Sequence, residues 1–346
     1  MKKSFFKKIA NLLNLIQYGN DAAAQFLNRI TVDMKKSLFL MMVAAVVLTI
    51  SCGKHKDNDG DGYGNPMQME MTIKYPAIYI SMAGSGSVTI DWGDGTEPKT
   101  HTLSAFDTRW NIDHEFKHLY YGYVVDHNIS IVGKNITHFR ISEIYLTYFD
   151  VSNNTALAYL ECCNSNLTDL DVSKNTALTY LNCSNIQLTD LDLSNNTALT
   201  YLNCTRNQLT DLDLSKNIAL THLNCSYNQL TDLDVSKNTA LAYLECSSNQ
   251  ISNFGSNNML EILDCNNNHL TSLDVKNKEK LWRVDCSFNH LTTEALNVLL
   301  GSLHDNDIPG MNKIVIISGN YGSSSFITGT IINGWRVTSE QNILNF

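Results

Sequence analysis

Leu199-Thr-Tyr-Leu202-Asn-Cys204-Thr-Arg-Asn207-Gln-Leu209 is one of a series of near-copies along the chain. Its cysteine has counterparts at Cys162, Cys183, Cys225 and Cys246, spaced 21 residues apart, and Cys265 and Cys286 carry the series on. A fixed period of this length marks stacked units, none of which can bury its apolar side alone. Each period divides into two similar halves, such as Leu209-Thr-Asp-Leu212-Asp-Leu214-Ser-Lys-Asn217 and Leu220-Thr-His-Leu223-Asn-Cys225-Ser-Tyr-Asn228. Both read LxxLxLxxN, with Cys as a small buried hydrophobe at the last apolar place of one half. Each half predicts a short strand followed by a turn whose Asn bonds the loop backbone. The expected coil therefore has a strand on each side and almost no helix.

The Cys-type strands begin at Leu157, Leu178, Leu199, Leu220, Leu241, Leu260 and Leu281, after a degenerate first coil, Ile136-Phe139-Ile141 and Leu146-Phe149-Val151. Ser165 and Ile186 replace the turn Asn, so two early turns are expected to lose a cap. The unit after Cys246 is two residues short and lacks Asp-Val, which predicts an irregular second sheet there. The pattern LxxLxLxxNxL at this period resembles the nested 21-residue bacterial leucine-rich repeat. That resemblance covers residues 136–292 and implies a binding surface rather than an active site. Thr292-Thr-Glu-Ala-Leu-Asn-Val-Leu-Leu300 reads as a Thr-capped amphipathic helix, and Ile314-Val-Ile-Ile317 and Gly334-Trp335-Arg-Val337 as closing strands. Residues 293–346 are thus expected to form a small α/β C-terminal cap.

The chain has 346 residues and a net charge of −9, enough for two domains with cores of their own. It carries no basic stripe beyond its N-terminus, which argues against nucleic acid as a partner. Nine cysteines could suggest a disulfide scaffold. However, equivalent residues of stacked strands lie about 4.8 Å apart with parallel side chains, whereas a disulfide needs Cβ atoms roughly 3.5–4.5 Å apart. Buried free thiols are the better reading than a bridge ladder or a string of metal ligands.

Near the N-terminus, Met34-Lys-Lys-Ser-Leu38 begins a basic segment, followed by an apolar run to Ile50 and then Ser51-Cys52. The run is too short to span a membrane but suits a signal-peptide core at 34–52. It resembles a bacterial lipobox, which implies lipidation of Cys52; Leu48 stands one place further back than the usual leucine. Residues 1–33 precede this complete signal. Met1-Lys-Lys-Ser-Phe5 echoes Met34-Lys-Lys-Ser-Leu38, so they read either as an overcalled start or as an amphipathic helix using Phe5, Phe6, Ile9, Leu12, Leu13 and Ile16.

Residues 53–66 form a charged, Gly-rich tether. Its acidic stretch behind the Cys resembles the export signal of surface lipoproteins in the Bacteroides group. Asp57, Asp59, Asp61 and Gly62 also match the first half of an EF-hand loop, but position 12 is Gln68, so a solvated spacer is favoured.

In residues 67–135, Met69-Glu-Met-Thr-Ile73, Ser87-Val-Thr-Ile-Asp91 and Asn128-Ile-Ser-Ile-Val-Gly133 alternate as half-buried strands do. Trp92-Gly-Asp-Gly-Thr96, His118-Leu-Tyr120 and Ile129-Ser-Ile-Val-Gly133 resemble the PKD family, implying an immunoglobulin-like sandwich. His114-Glu-Phe-Lys-His118 is a literal HExxH. A zinc protease needs both His on one helical turn and a third ligand. Gly122 falls one residue late for the extended motif, whose third His is absent. Glu143 lies at a plausible distance for the other zincin type but within the entry to the repeats, and the PKD resemblance makes the segment a strand.

In the Cys-type strands the outward positions stack into columns. One reads Tyr159, Tyr180, Tyr201, His222, Tyr243, Ile262, Arg283, and its neighbour Glu161, Asn182, Asn203, Asn224, Glu245, Asp264, Asp285. Tyr supplies large, rigid contact area, so the face centred on Tyr159, Tyr180, Tyr201, His222 and Tyr243 with Asn182, Asn203, Asn224 and Glu245 is the expected binding ribbon. The same ladders could instead serve only to stabilise the sheet. The opposite face carries Asp169, Asp190, Asp211 and Asp232 beside Asp171, Asp192, Asp213, Asp234 and Asp274. These read either as a screened, solvated surface with Lys174, Lys216 and Lys237 nearby, or as a calcium ladder.

The chain is thus read as mainly β: a PKD-like sandwich, a leucine-rich-repeat solenoid and a cap. The expected function is a lipid-anchored outer-membrane protein that binds a protein ligand at the cell surface, with no cofactor and no enzymatic activity. The alternatives are glycan capture on the tyrosine ribbon, or a metalloprotease using His114 and His118. Cys52→Ala is expected to abolish membrane partitioning or leave the precursor uncleaved, read by fractionation and by the mass of the mature N-terminus. Unchanged partitioning and processing would refute the anchor.

Overall fold

Strand alternation becomes packing in a first group of elements: β1 (Gln68–Ile73), β2 (Ala77–Gly84), β3 (Gly86–Asp91), β4 (Lys99–Leu103), β5 (His114–Leu119), β6 (His127–Gly133), β7 (Ile136–Ile141) and β8 (Leu146–Asp150). The computed structural model describes residues 68–106, 114–120, 125–142, 145–253, 255, 257–308 and 311–338. Residues 1–33, the signal with Cys52, the tether with Asp57, Asp59 and Asp61, and Glu143 lie outside the described residues.

β1 buries Met69, Met71 and Ile73 on one side, as its period of two requires. Antiparallel pairing gives a five-stranded sheet in the order β4-β3-β6-β1-β8, and β5-β2-β7 begin a second sheet. The ring contacts His101–Phe116 and Phe139–Phe149 join the two sheets face to face. One close approach is fixed by glycine. Gly93 has φ +70, and a Cβ there would lie 2.1 Å from the Asn128 carbonyl oxygen.

β7 and β8 part company. β8 closes the five-stranded sheet against β1, while β7 pairs in parallel with β9 (Tyr159–Glu161), the first Cys-type strand. The second sheet therefore runs on into the repeats without interruption. It continues through β10 (Tyr180–Asn182), β11 (Tyr201–Asn203), β12 (His222–Asn224), β13 (Tyr243–Glu245), β14 (Ile262–Asp264) and β15 (Arg283–Asp285). Beyond them come α1 (Thr293–Ser302), β16 (Ile314–Ile316), β17 (Ile331–Ile332) and β18 (Trp335–Thr338). β16 pairs in parallel with β15, and β18 with β16, so the sheet reaches 13 strands. Thr292 caps α1 by accepting from the Ala295 N–H, and the helix buries Leu296, Leu299 and Leu300 over the last coil.

Inside the coils, Leu199, Leu202, Leu209, Leu220 and their counterparts are fully buried. Each such side chain contributes about 1.5–3 kcal/mol of transfer free energy. The buried turns are held by asparagine. Asn228 donates through Nδ2 to the Cys204 and Cys225 carbonyls, 3.0 Å each, while its Oδ1 accepts from the Leu209 N–H at 3.1 Å. Asn207, Asn249, Asn268, Asn289 and Asn320 repeat the pattern. On the other side of the coil, Asn175, Asn196, Asn217 and Asn238 each donate to two carbonyls of the preceding coil.

Three expectations need correction. The Leu-Thr-Asp-Leu-Asp half does not form a second sheet; among the described residues it is a column of turns with an isolated bridge at Leu233. Its Asp side chains cap those turns: Asp171, Asp192, Asp213, Asp234 and Asp274 each accept from the N–H two residues on, at 2.8–2.9 Å. The turns at Ser165 and Ile186 are not left bare. Ser165 Oγ donates to the Cys162 carbonyl, and the Ile186 N–H finds Asn207 of the next coil. The shortened unit also keeps its ladder. Asn257 donates to the Asn238 carbonyl at 2.6 Å, and Lys278 takes the next rung, its buried ammonium donating to the Asn257 carbonyl. Gly255 permits the shorter path, since a Cβ there would stand 2.3 Å from Asp234 Oδ1.

Asn228→Ala is expected to destabilise the protein by about 2–4 kcal/mol, because the Leu209 N–H is left buried without an acceptor and two further bonds are lost. Gln229→Ala, next to it but exposed, is expected to change stability by no more than about 0.5 kcal/mol. Urea unfolding of the two variants checks the contrast.

Candidate binding face

Parallel register brings the expected ribbon together. Tyr159, Tyr180, Tyr201, His222 and Tyr243 stand side by side, followed by Ile262 and Arg283. Ring centroids lie 4.1 Å apart for Tyr159–Tyr180, 4.3 Å for Tyr180–Tyr201 and 4.3 Å for His222–Tyr243, with planes within 8° of parallel. Tyr201 and His222 meet less closely, at 6.0 Å and 31°.

The ladder starts earlier than the repeats. His138 of β7 stacks on Tyr159 at 5.5 Å, and Phe106 stacks on His138 at 4.4 Å. Sequence reasoning missed both residues because neither lies in the Cys-type period. His138 could have been found by continuing the Tyr column one strand back into the degenerate coil; nothing in the sequence marks Phe106.

The rings are half-buried and cover one another's faces. Burial, and then the flanking phenols of Tyr159 and Tyr201, push the Tyr180 hydroxyl up from its ordinary value, so it stays a hydrogen-bond donor. Burial does the same for Tyr159 and Tyr243.

The neighbouring column has a structural duty as well. Asn182, Asn203 and Asn224 accept through Oδ1 from the N–H of Ser184, Thr205 and Ser226, holding the turn after each strand. Their amide nitrogens are the groups left for other work, and Asn224 Nδ2 donates to Glu245 Oε2. Glu161 accepts from the Tyr159 hydroxyl at 2.9 Å and pairs with Arg140 at 3.4 Å. Arg140, from β7, is a further member of this face that the period does not reveal.

The opposite face carries its Asp residues apart from any such ladder. Hydrogen bonds from Ser173, Ser194, Ser215 and Ser236 hold Asp171, Asp192, Asp213 and Asp234 below their ordinary values. These carboxylates are turn caps, and that role accounts for their recurrence without calcium.

Cys162, Cys183, Cys204, Cys225, Cys246, Cys265 and Cys286 are free and fully buried. Burial pushes the Cys204 thiol up to about 12 and raises the other six as well. Cys163, which by count along the strand falls at an outward position, is 6 % exposed, with its Sγ 3.7 Å from Glu161 Oε1 and beneath Asn164. The outward position is covered by its neighbours' side chains.

The metalloprotease alternative fails on geometry. His114–Leu119 is strand β5, where residues four apart lie about 13 Å from each other rather than on one helical turn. His118 is engaged elsewhere: its Nε2 lies 2.8 Å from Asp94 Oδ2, and its ring stacks on Trp92 at 4.9 Å. Loss of water works against the Asp94 charge, but bonds from Thr96 and His118 outweigh it and hold this carboxyl at about 2. The Tyr120 hydroxyl closes the same corner by donating to the Trp92 carbonyl.

The functional domain of InlJ from Listeria monocytogenes, which includes a cysteine ladder, superposes with a TM-score of 0.50 at 35% identity, covering 62% of this chain and 46% of that one. The array is a leucine-rich-repeat solenoid. A leucine-rich-repeat protein of Leptospira interrogans is 22% identical over 44% of this chain and 43% of its own, with a TM-score of 0.43. For YopM from Yersinia enterocolitica the values are 26%, 48%, 34% and 0.37. The chain spans less than half the length of each. No protein-family model matches the sequence, and no curated protein does.

At pH 8 a thiol reagent is expected to leave the seven array cysteines and Cys163 unmodified in the folded protein and to label all eight in denaturant without reductant. Mass spectrometry of the labelled peptides checks this; a linked Cys183–Cys204 peptide in quenched protein would contradict it.

Proposed function

We propose that the protein is a surface-anchored binding protein that holds a protein ligand along the strand face of its leucine-rich repeats. The carrying observation is the continuous aromatic ladder from Phe106 to Tyr243 on a rigid parallel sheet. Ordered aromatic edges bearing phenol donors concentrate binding energy with little conformational entropy to lose. Leucine-rich-repeat folds of this kind are generally protein-interaction domains without enzymatic activity, which supports the same reading.

Glycan capture is the weaker alternative. A sugar stacks on an open ring face, whereas here neighbouring rings cover those faces. The anchor in this proposal is lipidated Cys52 on an outer membrane, supported by the basic start, the apolar run and Ser51-Cys52. The two-sheet unit preceding the repeats serves in this proposal as a PKD-like spacer, an assignment that rests on the resemblance of Trp92-Gly-Asp-Gly-Thr96 and its flanking strands.

The test takes a partner captured from cell-surface extracts and compares two sets of substitutions by titration. Tyr180, Tyr201 and Tyr243 to Ala are expected to weaken binding at least about 30-fold, the equivalent of one hot spot of about 2 kcal/mol. Asp190, Asp211 and Asp232 to Asn are expected to change it only a few-fold, through salt-dependent steering. The reverse result would move the binding site to the opposite face.

A further inference from the structure

The column beside the aromatic ladder changes character along the array. Up to β12 it is one acid followed by three amides, Glu161, Asn182, Asn203 and Asn224; over the next three strands it is Glu245, Asp264 and Asp285. Register sets Glu245 against Asp264 and Asp264 against Asp285, on strands about 4.8 Å apart.

Asp285 is 4 % exposed, and Asp264 is half-buried. One oxygen of each is held by its turn: Asp264 Oδ1 accepts from Asn266, and Asp285 Oδ1 from the Ser287 N–H and hydroxyl. The surroundings supply little opposite charge. β13 contributes Glu245, whose carboxylate already takes the Asn224 amide. β16 sets the apolar Ile316 against Asp285. Arg283, two places before Asp285 on β15, is the cation whose field favours the Asp285 charge, and Glu261 adds a further acid beside Tyr243. Among the described residues neither Asp264 nor Asp285 forms an ion pair.

We infer that Asp264 and Asp285, stacked beside Glu245, form an acid-responsive element in the strand face: mild acidification removes negative charge from these two positions and tightens the last coils of the array. Three like charges on adjacent strands, one of them buried and another half-buried, cannot all be ionised without cost. Burial, and next the Asp285 charge, raise Asp264 to about 6. Burial raises Asp285 too, against the bonds from Ser287 and the field of Arg283.

The sign follows from those directions. A carboxyl that binds its proton more tightly in the folded state stabilises the fold below its ordinary value, near 4, and loses that contribution as pH rises through about 6. The depressed caps Asp171, Asp192, Asp213 and Asp234 act oppositely and in a lower window, losing their contribution as pH falls below about 4. Between about pH 4 and 6 Asp264 and Asp285 therefore contribute stability that grows as the pH falls. If the strand face binds as proposed above, a basic segment of a partner lying at this end is gripped at neutral pH and loosened in mild acid.

The test begins with the protein alone, so that it stands or falls apart from any partner. Asp264→Asn keeps the turn bond, since Asn182, Asn203 and Asn224 make it at the equivalent place. At pH 7.5 this variant is expected to melt roughly 2–4 °C above the wild type, and at pH 5 the difference is expected to fall by at least half. Amide exchange in the wild type is expected to slow on going from pH 7.5 to 5, beyond the intrinsic pH effect, in residues 260–290 and not in 178–225. Carboxyl resonances of protein labelled at Asp provide the independent readout, with one midpoint near 6 that disappears in Asp264→Asn. Equal melting shifts at the two pH values, or no Asp midpoint above about 4.5, would overturn the inference.

Discussion

Every coil of this solenoid depends on an amide reaching into its neighbour. A turn that closes a flat, strand-like coil leaves backbone carbonyls and N–H groups pointing into an apolar interior, where an unmatched group costs about 1–3 kcal/mol. Asn supplies both a donor and an acceptor from one short side chain. Asn207 binds the Cys183 and Cys204 carbonyls, Asn228 those of Cys204 and Cys225, and so on, so each carbonyl within the run is shared by two rungs. The leucines alone would permit coils to slide or rotate; the amide ladder fixes their spacing and register. With register fixed, every outward residue must stack on its equivalent, and both the aromatic ladder and the acid column follow.

The two asparagine columns are not equivalent. On the Cys side, Oδ1 accepts a backbone N–H, whereas on the other side the Oδ1 atoms of Asn154, Asn175, Asn196, Asn217 and Asn238 are buried and accept nothing from the protein. The fully matched column accompanies regular strands and the half-matched one accompanies turns. Lys278 fits this asymmetry: on the side that needs only a donor, an ammonium replaces the amide, while the other ladder keeps Asn from Asn207 through Asn320. Burial lowers the Lys278 pKa, the expected direction for an ammonium placed among coils.

What was legible in the sequence was whatever the period carries, the coils, the buried cysteines and the Tyr column, together with the apolar runs that became β16 and β18. Features needing contact between distant segments were not. That β7 would pair with β9 while β8 paired with β1 has no local signal, because both strands show the same apolar alternation. Arg140 and His138 belong to the face for that reason alone. Nor does the count reveal Cys163: its position falls outward along the strand, yet the Glu161 and Asn164 side chains lie against it. HEFKH shows the opposite hazard. The motif is intact as text, but a strand separates its histidines, and His118 is already held by Asp94 and Trp92.

The half-repeats also explain why one side became a sheet and the other did not. They share their first two leucines and exchange Cys for Leu or Val at the third apolar place. They also differ at the outward place before the second Leu, occupied by Tyr or His on the Cys side in the middle coils and by Asp190, Asp211 and Asp232 on the other. At strand spacing, stacked aromatic neighbours gain about 0.2–1 kcal/mol per pair. Like carboxylates roughly 5 Å apart lose almost 1 kcal/mol per pair even in water. Summed over several coils, that difference in sign favours tight strand pairing on one side and opposes it on the other. The Asp that follows in each half then caps its own turn, which suits a backbone that has left the ladder. The aromatic side is therefore the one whose outward side chains are held in fixed register, and the acidic side the one given over to capped turns.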